Sequence, residues 1–517
     1  MDLVPAIWYL GAALLVWALV DCVRTALRPG LRSLPGPVSA RFFRFYRASL
    51  VFGGEAPEKY RQAHERYGPV VRVGPNHVSI SDPSAIPLIY GIGLGNKFLK
   101  TNFYDTMSPF YQGKVMPSVF TERDSDVHRN LKRPVAQLFS MTNMRNYEPY
   151  ADQCTGIFIE AMRDLEGQPI DLGAWVQWYA FDVIACMTFQ RRFGFLEQRR
   201  DVDRMIGDLD GVLHYVKIIG QYPELHPYLL GNETLVRTLK WLFPQIPDPL
   251  HSFLKITEDE IARYDNQQGE RTGRTDFLAQ LRAKESKDGQ IPHRDMMNHL
   301  ANNLVESHHE LDPQALAGSD TTAVSLRACF YYLIKTPAAY KQLVAEIDAA
   351  EKQGQLSPYI SYEECLKLPY LQAVMKEAMR LHPGVAYPLE RYVPPEGATI
   401  CGVELPGGTN VSVTAPVVHL DKTVYGEDAD VFRPERWLEA EPERLKLMER
   451  SFLAFGAGAR TCIGKNISIL EMGKFIPQIL RHFDLEWAAD HPEWRTEAVW
   501  FWKQSGVIVR FKWRGKS

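Results

Sequence analysis

The stretch from Ser451 to Met472, SFLAFGAGARTCIGKNISILEM, constrains this chain more than any other part of it. Gly456, Gly458 and Gly464 surround Cys462, and Ile467, Ile469, Leu470 and Met472 follow at helical spacing, the layout of a tight loop running into a helix N-terminus. Glycine accepts backbone angles that other residues refuse, so such a loop curls and turns several N–H groups toward one sulfur. Together with the positive end of the helix dipole, those donors favour thiolate over thiol. A structural cysteine among flexible glycines is the plain alternative, and it gains nothing from these surroundings.

An anionic sulfur presented in this way suits a soft or borderline metal. With no second cysteine or histidine nearby it cannot build a tetrahedral zinc site, which leaves one axial bond to haem iron. Phe455, Gly456, Gly458, Arg460, Cys462 and Gly464 match the signature Phe-Gly-x-Gly-x-Arg-x-Cys-x-Gly position for position, so the chain resembles the cytochrome P-450 monooxygenases. The resemblance implies a mainly α fold with a small β region, a single large haem domain, and haem b bound through an axial Cys462 thiolate.

Length and charge set the frame around this loop. No low-complexity linker divides the 517 residues, so residues 41–517 are expected to form one catalytic domain. A net charge of −3 without a sustained basic block gives no reason to expect a nucleic-acid partner. Seven cysteines lie far apart with no CxxC pair, the usage of a reducing compartment.

The N-terminus has a different character. Leu3 to Val20 is uncharged and as a helix would span about 27 Å, close to the thickness of a bilayer's hydrocarbon. A cleavable signal is the rival reading, but basic residues follow the run and no small-x-small site is evident. Residues 1–22 are therefore expected to anchor the chain in the membrane of the endoplasmic reticulum. Arg24, Arg28 and Arg32 lie just beyond the run, which keeps the catalytic part cytosolic. Pro29, Pro35 and Pro37 make residues 23–40 a stiff hinge.

Three further groups of residues carry chemistry. His128 and Lys132 lie one helical turn apart, where the family usually carries Trp and Arg directed to a haem propionate; Arg391 and Arg460 match other basic positions of this kind. Ala317, Gly318, Ser319, Asp320, Thr321 and Thr322 match the family segment for oxygen activation, which needs proton delivery: Asp320 relays protons and Thr321 offers a hydroxyl. A threonine bonding back to its own helix is the ordinary alternative there. Glu377 and Arg380 stand at i and i+3, and with Arg436 of FRPERW they resemble the family's buried Glu-Arg-Arg cluster bracing the haem loop.

Other features fix local expectations. Pro313 either starts the central helix or kinks it. His308 and His309 are sequence neighbours, so they point to different helix faces and make a poor metal pair. VVRV and HVSIS flank Gly74, Pro75 and Asn76 as a hairpin, and AVWFWKQSGVIVRF is expected to form another around Gln504 to Gly506, its tip near the pocket.

From LERYVPPEGATICG through VVHLDKTVYGEDADVFRPERWLE the chain looks most like filamentous-fungal enzymes of the pisatin demethylase type, a resemblance that implies insertion of one atom of dioxygen into an apolar small molecule during secondary metabolism. Electrons would come from NADPH through a flavoprotein reductase. A reductase-independent isomerase or dehydratase, and a non-enzymatic haem carrier or sensor, stay open as alternatives.

Overall fold

The computed structural model describes residues 12, 16, 19–93, 97–108, 110–111, 114–242, 249–266, 273–288, 291–304 and 319–515. Helices dominate them, and the small β region takes the form of one four-stranded, one three-stranded and three two-stranded sheets. Ala317, Gly318, Pro313, His308 and His309 lie outside the described residues, as does almost all of Leu3–Val20. Among the described residues no helix is long and apolar enough to cross a membrane.

The helical body is built around Leu172–Phe189, in which every residue except Ala174 and Trp178 is buried. A helix apolar on all sides belongs inside other helices, and this one packs against Glu148–Asp164 and Asp320–Lys335. Asp171 caps it by accepting the Ala174 N–H at 3.2 Å. The helix that follows the cysteine loop, Lys465–His482, lies against Glu148–Asp164, Asp320–Lys335 and Pro369–Leu381. Its buried Lys474 reaches Glu148 at 2.9 Å and Asp152 at 3.0 Å. A buried ammonium so paired fixes the rotation of the helix, because turning it would strand the charge.

The four-stranded sheet runs in the order Val70–Gly74, His77–Ile80, Asn410–Val413, Leu389–Tyr392. The expected hairpin forms its first, antiparallel pair, with Val71 opposite Ser79. Alternation along Leu389–Tyr392 sends neighbouring side chains to opposite faces. Glu390 turns to Arg47, Thr101 and Asn410, while Arg391 turns to Tyr104. The proline segment is docked on this sheet: Leu31 and Leu34 are buried in its core, and buried Arg72 donates to the Ala26, Leu31 and Thr25 carbonyls.

The C-terminal strands correct one expectation. Trp502–Ser505 pairs with Arg495–Ala498, whereas Ile508–Trp513 pairs with Phe483–Trp487 and Ile170–Asp171. The two alternating runs around Gly506 are therefore not each other's partners, because alternation defines a strand's faces and not its neighbour. The turn that reaches the pocket is Val499–Phe501 instead, and Trp500 there holds φ at 148°.

Candidate active site

Cys462 sits where the sequence places it, in the loop between Phe452 and the helix Lys465–His482. Two glycines shape the loop for different reasons. Gly456 and Gly458 take φ of 67° and 65°, the left-handed region that side chains avoid. A Cβ on Gly458 would also lie 1.7 Å from the Tyr90 carbonyl oxygen. Gly464 departs from the expectation, since its φ of −79° is open to any residue and a Cβ there would make only an ordinary contact, 3.9 Å from the Cys462 sulfur. The loop is closed by the Cys462 N–H donating to the Phe455 carbonyl at 2.9 Å.

A single cavity joins this loop to most of the residues singled out in the sequence. Cys462, Phe455, Gly456 and Gly464 line it together with Thr321 and Thr322 of the central helix Asp320–Lys335. The Thr322 hydroxyl donates to Ser468 Oγ at 3.2 Å and ties the central helix to the cysteine helix. Val119, Phe120, Ile184, Phe277 and Phe501 make the remaining walls largely apolar.

One edge of the cavity is basic: the cations Lys132, Arg391 and Arg460 line it beside His128. His128 and Lys132 come from Ser125–Val135, whose N-cap Asp124 accepts the Asp126 and Val127 N–H groups at 2.8 and 2.9 Å. Lys132 donates to the Ala459 carbonyl at 3.2 Å, and Arg460 donates to the Glu122 carbonyl at 2.6 Å. Arg391 bonds Tyr104 Oη at 3.2 Å. Among the described residues Lys132, Arg391 and Arg460 have no carboxylate partner. Burial, then the nearby cations Arg460, Lys100 and Lys132, push the His128 imidazole down to about 3. Burial and Arg391 pull Arg460 down to about 10. Lys100 is a member the sequence reading missed: 4 % exposed, it lines the same edge and is bridged through its strand to Arg391.

These residues fit a haem. One sulfur faces an apolar slot, and desolvated cations at its edge call for the two carboxylates a porphyrin carries. Among the described residues no group of three or more His, Cys, Asp or Glu side chains is placed to hold a metal ion, so Cys462 belongs to no protein-only metal cage.

The acid and the alcohol are separated. Thr321 faces the cavity, but Asp320 is fully buried and does not line it. Its carboxylate accepts Gln177 Nε2 at 2.5 Å and Lys503 Nζ at 3.3 Å. Lys503 also pairs with Asp210, whose side chain is 41 % exposed, so the chain of charges leads outward. Burial opposes the Lys503 charge, but Asp320 and Asp210 outweigh it and hold its pKa above the ordinary value. Neither Lys503 nor Asp210 carries a local motif that would have revealed it.

Glu377, Arg380 and Arg436 meet as expected. Arg380 donates Nε and Nη2 to the two Glu377 oxygens at 2.9 and 2.7 Å, and Arg436 Nε reaches Oε1 at 3.2 Å. Trp437 Nε1 and the Arg433 N–H add donors at 2.9 and 3.1 Å. Arg436 and Arg433 hold the neighbouring Asp428 carboxyl down to about 2.

His419 connects this cluster to the cysteine loop, a role the sequence reading missed. Its Nδ1–H donates to the Arg380 carbonyl at 2.8 Å, and Nε2 accepts the Leu453 N–H at 2.7 Å, a few residues before Cys462. Those bonds fix the neutral tautomer, and complete burial pushes its pKa down to about 3. In the unfolded chain the same group titrates near 6.5, so its stabilising contribution is full above that value and is lost as pH falls toward 3. Wild-type stability in urea should therefore fall more steeply below pH 6 than that of His419→Gln, by about 1.4 kcal/mol per pH unit. Equal slopes would show that His419 is not held neutral.

Comparison with known proteins agrees with this geometry. The sequence model of the Cytochrome P450 family matches residues 35–507. The chain is 37 % identical over 491 residues to the cytochrome P450 monooxygenase cicH of Emericella nidulans, covering 94 % of this chain and 95 % of that protein. It is 36 % identical over 481 residues to pisatin demethylase of Fusarium vanettenii, covering 92 % and 87 %. It is also 37 % identical over 504 residues to mpaDE of Penicillium roqueforti, covering 94 % of this chain but 56 % of that protein. With its cysteine loop, cationic edge and buried Glu-Arg-Arg cluster in one fold, the chain belongs to the cytochrome P450 family and is a monooxygenase of that family.

Proposed function

We propose that Cys462 is the axial ligand of a haem b and that an apolar small molecule is oxidised between it and Thr321. The observation that carries this reading is that both residues line one cavity with a cationic edge. When bound, the haem supplies the site of dioxygen reduction and cleavage, with electron density from the thiolate. His128, Lys132, Arg391 and Arg460 hold its propionates, while Phe455, Gly456 and Gly464 shape the pocket floor and Glu377, Arg380 and Arg436 brace it. Electrons come from NADPH through a flavoprotein reductase. Residues 1–22 anchor the chain in the endoplasmic reticulum, supported by the apolar run and the arginines after it. Pisatin demethylase among the relatives supports a role in fungal secondary metabolism.

Protons are managed by Asp320 and Thr321. Thr321 holds a hydroxyl at the cavity wall, and Asp320 holds a carboxylate one residue away in contact with Lys503. Delivery requires that carboxylate to leave Lys503 or a water to bridge it to Thr321. Lys503 and Asp210 connect it to the surface.

Asp320→Asn should lower product formation by about 100-fold, the usual worth of a general acid. Thr321→Ala should keep consuming NADPH while product falls and peroxide accumulates. Both are measured as product formed per NADPH oxidised in the presence of reductase. Wild-type coupling in both variants, or turnover of a peroxide substrate without NADPH, would overturn the reading in favour of a reductase-independent enzyme.

A further inference from the structure

One polar side chain in the cavity has no part in the chemistry above. His299 lies on the helix His293–Leu304 and is 5 % exposed. It lines the same cavity as Cys462 and Thr321. Its helix is firmly set: Met296, Met297 and Leu300 are fully buried, and Asn298 Nδ2 donates to the Pro117 carbonyl at 3.1 Å. Among the described residues neither imidazole nitrogen of His299 has a hydrogen-bond partner, and neither is among the fully enclosed side-chain atoms without one.

The position separates His299 from the cationic edge. His128 feels Arg460, Lys100 and Lys132, whereas among the described residues the charge that acts on His299 is Lys284. Burial, with a small push from Lys284, lowers its pKa to about 4, so the ring is neutral near pH 7. Ile184 and Phe277, which also line the cavity, come from helices packed against His293–Leu304. This part of the wall is an apolar surface with one unsatisfied imidazole in it.

A polar group in an apolar wall calls for a water or a ligand to bond it, a demand that an apolar residue in the same place would not make. A neutral imidazole offers one donor and one acceptor, and a hydroxyl answers either. We propose that His299 is a specificity-determining residue, hydrogen-bonding a hydroxyl group on an otherwise apolar, uncharged substrate. The inference rests on the reading of this cavity as the substrate pocket. It deepens that reading from an apolar molecule to a hydroxylated one, since a site built to bond a hydroxyl discriminates against the analogue lacking it.

The test uses the full haem-loaded chain and two probes of similar shape, 4-phenylphenol and 4-methylbiphenyl. Binding is followed by quenching of tryptophan fluorescence, because Trp500 lines the cavity. The wild type should bind the phenol about tenfold tighter than the methyl compound, the worth of one hydrogen bond. His299→Phe should bind the two alike, and His299→Asn should recover part of the preference. Equal affinities in the wild type, or a His299→Phe variant that weakens both probes by the same factor, would overturn the proposal. The reduced carbon monoxide spectrum of the same samples reports separately on thiolate ligation, so failure of the haem reading and failure of this one are told apart.

Discussion

Cys462→Ala protein should show no thiolate-type spectrum after reduction and carbon monoxide treatment, and its reductase-dependent turnover should fall at least about 1000-fold. The expectation follows from the surroundings of the sulfur. Six other cysteines are present; Cys154, Cys186, Cys329 and Cys365 are buried, Cys22 and Cys401 are part-buried, and none of the six lines the cavity. No neighbouring thiol can stand in. Phe455, Gly456 and Gly464 would still shape the slot, so haem uptake should fall less than turnover does, and Cys462→Ser, which preserves the volume, separates the two effects. Normal turnover in Cys462→Ala, or a spectrum of histidine-bound haem in the wild type, would remove the basis of the mechanism.

Glu377→Ala should produce the largest loss of stability of any single change outside the core. Glu377 and Arg380 have no side-chain exposure and Arg436 has 2 %. Removing the carboxylate leaves the buried Arg380 guanidinium without its opposite charge, while Arg436 keeps Asp428 at 2.6 Å; stranding one buried charge costs about 3–5 kcal/mol. That is a large part of the about 5–15 kcal/mol by which a domain is stable. Arg380 also donates to the His419 and Ala429 carbonyls at 2.7 and 2.5 Å, so the damage passes through His419 to the backbone of Leu453. Urea unfolding and haem release should both shift, and Glu377→Gln should fall between wild type and Glu377→Ala. If Glu377→Ala unfolded at the wild-type urea concentration and released haem no faster, the bracing role would be wrong.

What the sequence reveals and what it hides divides along the range of the interactions. Glu377 and Arg380 are one helical turn apart, and the glycines of the cysteine loop lie within a few residues of Cys462, so local rules expose them. His419, Lys503 and Lys100 act across the fold. His419 joins residues 380 and 453, and Lys503 joins residues 210 and 320. A lone His or Lys carries no signal of such a partner. The C-terminal strands fail for a related reason: their alternation is plain, but Ile508–Trp513 finds its partners at residues 170 and 483 and not across the nearest turn. Gly464 shows a subtler limit, since it matches the motif although neither its φ nor its neighbours in the chain demand a glycine.

The cavity walls come from Tyr90 at one extreme and Phe501 at the other. The last long strand closes the helical body by pairing with Ile170. During synthesis, then, no emerging fragment contains a finished pocket, and the ribosome has released nearly the whole polypeptide before the walls can meet. Contacts of such long sequence separation form late and slowly. A chain that stops before Trp500 would consequently carry an open-sided site, and any group that fills the cavity would have to enter after synthesis is nearly complete.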